Sequence, residues 1–200
     1  DVYKRQTQAH TVVLGAIAQA TENIKVSSAS SIISAADPVR VFEDFATIDL
    51  ISNGRAELVA GRASRTGIFE LFGYDLNDYD DLYEEKLDLL LKLNENDRIT
   101  WSGRFRPDLN NMKIFPRPVD DNLPIWRAVG GPPASAIKAG RLGVPMMITT
   151  LGGPAMNFKR SIDLYRSTAQ DNGFDTSPEM LPVSTASLFY TADTTQEAMR

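Results

Sequence analysis

The chain has 200 residues, of which 42% are hydrophobic and 24% charged, a composition typical of a folded domain with a substantial apolar core. Its net charge of −5 argues against sequence-independent nucleic-acid binding, which needs a basic face, and its lack of cysteine excludes disulfides and thiolate chemistry. There is no apolar run long enough to span a bilayer and no signal-peptide pattern, so we expect a cytoplasmic protein.

Predicted helices and strands alternate from the start of the chain. A helix over 11–20 and a strand over 24–33 come first. Asp37 is a candidate N-cap before Pro38, and the helix that begins there should end at Asn53-Gly54, since both residues tolerate left-handed backbone. A short strand over 56–60 follows and leads directly into Gly61-Arg62.

The same alternation continues to the end of the chain. The further predicted elements are a helix over 79–93, a hairpin of 99–101 with 112–115, a strand over 124–129, a helix over 133–142, a strand over 144–149, a helix over 157–170, a strand over 181–188 and a helix from about 194. The acidic run 75–85 is expected to be a solvated loop and helix start. This order predicts parallel strands joined by crossovers but does not distinguish a closed barrel from an open sheet.

Arg62 stands where a ligand site is expected, because parallel strands bind ligands at their carboxyl ends. A guanidinium there suits an oxyanion such as phosphate, and the alternative is a surface ion pair. Arg55, at the start of the same strand, is predicted to be structural.

A second candidate anion site lies at Gly130-Gly131, between a predicted strand and helix. Glycine lets the backbone approach a ligand, and N–H groups at a helix start favour an anion. Ser135 can donate to a phosphate oxygen or cap the helix, whereas Pro132 and Pro133 each remove a donor.

A set of short motifs, in order along the chain from about residue 12 to residue 190, resembles the bacterial-luciferase-like, flavin-dependent monooxygenase family. The motifs include D-P-V-R-x-x-E-D from Asp37, D-x-x-S-x-G-R from Asp49, Gly61-Arg62, Trp101-Ser102-Gly103, Pro124-Ile125-Trp126 and Leu142-Gly143-Val144-Pro145. The resemblance implies a (β/α)8 TIM barrel, an α/β fold. We expect residues 7–200 to form a truncated barrel that lacks the first two strands and the last, and residues 1–6 to be non-native.

The resemblance also assigns a cofactor site. The residues that it implies for cofactor binding are Ala29, Ser30, Arg62, Gly130, Gly131, Ser135 and Thr149. In the family, a cis peptide bond lies beneath the isoalloxazine ring, and the matching bond here joins Ala29 to Ser30. Thr149 is expected to line the ring pocket, and Arg62 to bind the flavin phosphate.

The sequence does not assign catalytic residues. His10 is the only histidine, and we expect it to be an exposed helix-start residue, with a place at the pocket rim as the alternative. The carboxylates show no metal-ligand spacing, so no metal is expected.

The activity that the resemblance implies is oxygenation of a small organic substrate by reduced FMN and O2, with a separate flavin reductase supplying the reduced flavin. The alternatives are hydride transfer with the deazaflavin F420, a non-catalytic flavin-binding relative, and another phosphate-binding barrel such as an aldolase or isomerase. The absence of a lysine at a strand end disfavours the last of these. The family is commonly dimeric, so we expect a homo-oligomer.

Overall fold

The computed structural model describes residues 9–63, 66–130, 132–151, 153–187 and 191–198. The chain divides into two compact units, Asp1–Ala128 and Val129–Arg200. In the part of the chain that the structure describes, no helix is both long and apolar enough to cross a membrane.

The first unit alternates helices and short strands. Its elements are α1 (His10–Ala20), β1 (Val26–Ser27), β2 (Ser31–Ile32), α2 (Pro38–Ser52), β3 (Ala56–Gly61), α3 (Gly67–Leu71), α4 (Tyr79–Glu95), β4 (Arg98–Trp101), β5 (Leu109–Lys113) and β6 (Ile125–Val129), the last residue of which belongs to the second unit. Short 3-10 segments over Ile33–Ala35 and Leu76–Asp78 connect them. The predicted hairpin is confirmed as the antiparallel pair β4–β5.

Strand β3 is the centre of a parallel sheet in this unit. It pairs with β1 and β2 on one side and with β6 on the other. Leu58 of β3 packs with Phe42 and Phe45 of α2 and Leu90 of α4 in a continuous apolar core. The parallel strands and helical crossovers predicted from the alternation are therefore confirmed in the first unit.

The single strand predicted over 24–33 is wrong, because the chain forms two short strands there, β1 and β2. Between them, the Ser28 hydroxyl accepts a hydrogen bond from Val59 N (3.1 Å) and donates to Val59 O (3.3 Å). The Ser28 side chain thus replaces backbone groups in the hydrogen bonding to β3 at this point. The alternation of hydrophobic residues in the sequence does not reveal such an interruption.

The D-x-x-S-x-G-R motif is a structural joint between α2 and β3. Asp49 is buried and accepts hydrogen bonds from Ala56 N (3.1 Å) and Val119 N (2.9 Å). Ser52 Oγ accepts from Arg55 N at 3.2 Å, and Gly54 has a φ of 82°, where a side chain would be strained. These contacts fix where β3 begins.

The second unit contains α5 (Pro133–Leu142), β7 (Met146–Thr149), a 3-10 segment (Ala155–Phe158), α6 (Lys159–Asp171), β8 (Val183–Ala186) and α7 (Thr195–Ala198). β7 and β8 pair in parallel, as predicted from their sequence. The two longer helices pack closely because Gly140 carries no side chain: a Cβ there would lie 2.5 Å from Tyr165 O. Tyr165 in turn donates to Val144 O at 2.8 Å.

Candidate functional site

Arg62 leaves the carboxyl end of β3 and turns toward helix α4. Its Nη1 donates to Asp80 Oδ1 and its Nη2 donates to Glu84 Oε1 at 2.8 Å. The guanidinium carbon also lies 4.5 Å from the centre of the Tyr83 ring. The Arg62 side chain is 21% exposed and that of Asp80 is 65% exposed, so the ion pair considered from sequence is present, with the arginine partly buried.

Glu84 joins Arg62 to a second arginine. Arg127 of β6 is fully buried and binds Glu84 in a bidentate manner, with distances of 2.9 and 2.6 Å. Burial, the largest single influence, lowers the pKa of the Arg127 guanidinium, but the hydrogen bond to Glu84 and the electrostatic interactions with Tyr83, Glu84 and Asp80 together raise it above its usual value. Because its partner is a carboxylate in good geometry, Arg127 keeps its charge inside the protein.

Tyr83 lies between the two arginines. Its ring centre is 4.5 Å from the guanidinium carbon of Arg62 and 4.9 Å from that of Arg127. Its hydroxyl donates to Ala60 O at 3.1 Å. Burial raises the pKa of Tyr83 to about 12, although both arginines act in the opposite direction. The ring is therefore a neutral platform that holds the Arg62 guanidinium at the strand end.

One donor of Arg62 is left over. Its Nε is buried and has no hydrogen-bond acceptor among the described residues. A buried N–H group without an acceptor costs stability unless something bonds to it. The Nε of Arg127 is buried without an acceptor among the described residues in the same way, so neither of these N–H groups is open to a ligand in this conformation.

Ala29 and Ser30 form the second part of the candidate site. Their peptide bond is cis, as the resemblance implied. Ser30 packs directly on Gly61, at whose position any Cβ would overlap the Ser30 side chain. The segment that the resemblance places under a flavin ring therefore contacts the residue preceding Arg62.

A cavity of about 250 Å³ opens beside this turn, lined by His10, Val13, Leu14 and residues 27–30. Pockets for complete drug-sized ligands measure about 300–1,000 Å³, so this cavity is large enough for only part of such a ligand. His10 is half-buried, and its Nε2 is 2.8 Å from Ser31 Oγ. The expectation of an exposed His10 is therefore wrong, since this hydrogen bond holds the ring at the cavity wall.

The remaining predicted site residues belong to the second unit. Gly130 follows β6, and a side chain at that position would meet nothing within 4 Å among the described residues, so packing does not require glycine there. Gly131 lies outside the described residues. Ser135 is in the first turn of α5, and Thr149 ends β7.

The sequence predicts that the acidic run 75–85 is solvated, but several of its carboxylates have partners within the protein. Asp80 and Glu84, one helical turn apart, both face Arg62. Glu85 accepts hydrogen bonds from Arg104 N (2.8 Å) and Phe105 N (2.9 Å). In the sequence, the one indication of a shared cation partner is the i, i+4 spacing of Asp80 and Glu84, which places both carboxylates on the same face of the helix.

Lys86 is a further buried cation in the first unit. Its Nζ donates to Ser34 O at 2.7 Å and to the Tyr74 hydroxyl at 3.0 Å. Burial lowers the pKa of Lys86 to about 8, although Asp37 and Glu85 act in the opposite direction. Lys86 can therefore lose its proton in mildly alkaline solution.

A larger cleft of about 650 Å³ lies between α4 and the hairpin. Its polar groups are already engaged with one another: Asp88 accepts from Trp101 Nε1 at 3.1 Å and from Lys92 Nζ at 2.8 Å. The Ala29–Ser30 turn and Arg62 do not line it. Size alone therefore does not make it the cofactor site.

These features define an α/β protein with a candidate anion site at the carboxyl end of a parallel strand. A family model described as luciferase-like monooxygenase matches residues 3–200. The chain therefore belongs to the luciferase-like monooxygenase family, as its motifs indicated.

Curated relatives support this placement over part of their length. Protein y4wF of Sinorhizobium fredii is 30% identical over 77% of this chain and 44% of its own. The F420-dependent glucose-6-phosphate dehydrogenase of Amycolatopsis mediterranei is 26% identical over 68% of this chain and 41% of its own. The chain thus spans less than half the length of these relatives.

Solved structures share the fold. Monooxygenase RslO1 from Streptomyces bottropensis superposes with a TM-score of 0.84 at 24% identity, covering 94% of this chain and 56% of its own. The oxygenating constituent of 3,6-diketocamphane monooxygenase from Pseudomonas putida, in complex with FMN, gives a TM-score of 0.78 at 17% identity, covering 95% and 56%.

Proposed function

We propose that this protein is a flavin-dependent monooxygenase that uses reduced FMN and O2 to oxygenate a small organic substrate. We also propose that residues 7–200 form part of a (β/α)8 barrel, that the whole protein is a homo-oligomer, and that a separate reductase supplies the reduced flavin. The proposal builds on the family and on one local arrangement in the first unit.

The observation that carries the proposal is the contact between Ser30 and Gly61, immediately before Arg62. It places a turn of small side chains, suited to an aromatic ring, against the residue that precedes an arginine suited to a phosphate. FMN combines these two groups in one molecule.

The chain's own residues have limited roles in this mechanism. Arg62 would hold the phosphate, Ala29 and Ser30 would support the ring, and Gly130, Ser135 and Thr149 remain proposed cofactor contacts. When bound, reduced flavin supplies the reaction with O2. The protein binds and orients the cofactor and excludes water from the reacting atoms.

F420-dependent hydride transfer is the second candidate, because the Amycolatopsis relative carries F420 in its name. The two candidates differ in their need for oxygen. An oxygenase stops turning over its substrate under strict anaerobiosis, whereas an F420-dependent dehydrogenase continues. Titration with FMN and with F420 gives an independent comparison, in which the proposal expects tighter binding of FMN.

The phosphate assignment is tested with Arg62→Ala, titrated with FMN and with riboflavin, which lacks the phosphate. Loss of a charge-assisted contact at a partly buried position should weaken FMN binding by about ten- to a hundredfold, or roughly 1.5–3 kcal/mol. Riboflavin affinity should stay within twofold of that of the wild type, or about 0.4 kcal/mol. Arg62→Lys should restore FMN binding only in part, because lysine restores the charge but not the planar fork.

Arg40→Ala is the matched control, since Arg40 is an exposed arginine of α2 paired with Glu43. It should leave both flavin affinities unchanged. If FMN and riboflavin lose affinity equally in Arg62→Ala, Arg62 supports the fold or the ring pocket, and the phosphate assignment is wrong.

A further inference from the structure

Arg62 is held by two carboxylates that differ in how firmly they are fixed. Glu84 accepts one hydrogen bond from Arg62 and two from the fully buried Arg127, and its side chain is 31% exposed. Asp80 accepts from Arg62 Nη1, and its side chain is 65% exposed in the first turn of α4.

We propose that Asp80 competes with the cofactor phosphate for Arg62 Nη1 and thereby sets the affinity of the site for phosphorylated flavins. This inference rests on the proposed function, in which Arg62 binds the phosphate. Glu84 stays on Arg127 and positions Arg62, while Asp80 is exchanged for the phosphate. Asp80 is therefore a specificity-determining residue.

Asp80 is the carboxylate that yields, because its removal leaves no buried charge uncompensated. If Glu84 moved instead, it would break the bidentate bond to Arg127, whose charge lies entirely inside the protein. Asp80 can rotate into solvent, where the amino end of α4 still stabilises its negative charge.

The competition acts on the phosphate and not on the ring. A phosphate dianion and the Asp80 carboxylate repel each other when both approach one guanidinium, so Asp80 weakens the binding of any ligand with a phosphate there. Riboflavin has no such group and leaves the Asp80–Arg62 pair intact. Removal of the Asp80 charge should therefore favour FMN selectively.

The test compares the affinities of wild type, Asp80→Asn, Asp81→Asn and Arg62→Ala for FMN and for riboflavin, measured by fluorescence titration at low salt. Asp81 is the matched control because it is the next residue, exposed, and in the same helical turn. Asp80→Asn should tighten FMN binding by about two- to fivefold, the range expected when one partly exposed ion pair is removed. Asp81→Asn should leave FMN binding unchanged, and riboflavin should bind all four proteins with similar affinity.

Several outcomes overturn the inference. Weaker FMN binding by Asp80→Asn would mean that Asp80 positions Arg62 rather than competing for it. Equal tightening by Asp81→Asn would mean a general charge effect. Asp80→Ser provides a second variant should the asparagine protein fold poorly.

The Arg62→Ala protein distinguishes failure of the phosphate site at Arg62 from failure of the proposed competition by Asp80. Selective loss of FMN binding by Arg62→Ala without a gain by Asp80→Asn overturns the competition alone. Equal loss of FMN and riboflavin by Arg62→Ala overturns the phosphate site, and the competition with it.

Discussion

The two ends of strand β3 each carry an arginine, and the two arginines differ in the kind of group that accepts their hydrogen bonds. At the amino end, Arg55 donates to the backbone oxygens of Ser52, Ala18, Thr21 and Ile24 and to Thr21 Oγ1. At the carboxyl end, Arg62 donates to side-chain carboxylates on α4, and its buried Nε has no acceptor among the described residues.

This difference distinguishes an arginine with a structural role from one that we propose binds a ligand. The partners of Arg55 are mostly carbonyl groups fixed by the fold, so no ligand can replace them without local unfolding. The partners of Arg62 are side-chain carboxylates, of which the exposed Asp80 is the one that we propose an anion displaces. Site candidates at a strand end can thus be ranked by whether their partners are exchangeable.

The largest effect is expected from Arg55→Ala, which removes five hydrogen bonds and leaves backbone carbonyls of α1 and α2 without a donor. The free energy of unfolding should fall by about 3 kcal/mol. Chemical denaturation measures this loss, with Arg98→Ala as a control, because Arg98 bonds only the exposed Asn111 among the contacts the structure describes. An equal loss in both variants would contradict the structural role of Arg55.

Gly61→Ala should destabilise the protein by about 2 kcal/mol, because the added methyl overlaps Ser30. Since the disturbance falls on the ring surface, FMN and riboflavin should weaken together, unlike in Arg62→Ala. Gly67→Ala is the control, as a Cβ there meets no described atom within 4 Å. A loss restricted to FMN would place Gly61 in the phosphate site instead.

Lys86 adds a cation that, unlike the arginines, titrates near neutrality. Its pKa is lowered by burial to about 8 in the folded protein and is normal in the unfolded chain. The unfolded state therefore binds more protons between the two values, so the Lys86 contribution to stability increases with pH. From pH 7 to pH 9 this gain is about 1 kcal/mol.

The measurement is the free energy of unfolding against pH for wild type and Lys86→Met. The wild type should gain stability relative to the variant as pH rises across this interval. Parallel curves would mean that Lys86 keeps its proton in both states, and that its hydrogen bonds to Ser34 and Tyr74 outweigh its burial.

Arg62→Ala should have the smallest effect on folding, under about 1 kcal/mol, because Glu84 keeps Arg127 and Asp80 is largely solvated. Thermal unfolding of Arg62→Ala and Arg55→Ala, measured side by side, compares the loss of stability caused by removing each arginine. A loss as large as that of Arg55→Ala would make both arginines structural.

Local signals in the sequence were sufficient for most elements. Asp37 caps α2 by accepting from Val39 N at 2.9 Å, and Asn53 ends that helix in left-handed backbone with a φ of 55°. The structural role predicted for Arg55 from its place at the start of the strand is confirmed by its hydrogen bonds to backbone oxygens. These features depend on residues close in sequence, which is why they could be predicted.

Long-range contacts were not predictable in the same way. The bridge from Ser28 to Val59 divides a strand that composition alone would keep whole. Arg127 and Glu84 are 43 residues apart, and neither is marked as a partner by its neighbours in the chain. The candidate site was therefore predicted at Arg62, but the groups that hold Arg62 came only from the structure.

The central position of β3 has a consequence for hydrogen exchange. Its backbone is paired on both sides and almost wholly buried, so its amides should be among the last in the first unit to exchange with solvent. Asp80 belongs to a helix's first turn, where fraying is fastest. Arg62 thus follows the strand expected to open most slowly, whereas Asp80 lies in the first turn of a helix. The proposed replacement of Asp80 by a ligand would therefore leave the backbone that supports Arg62 closed.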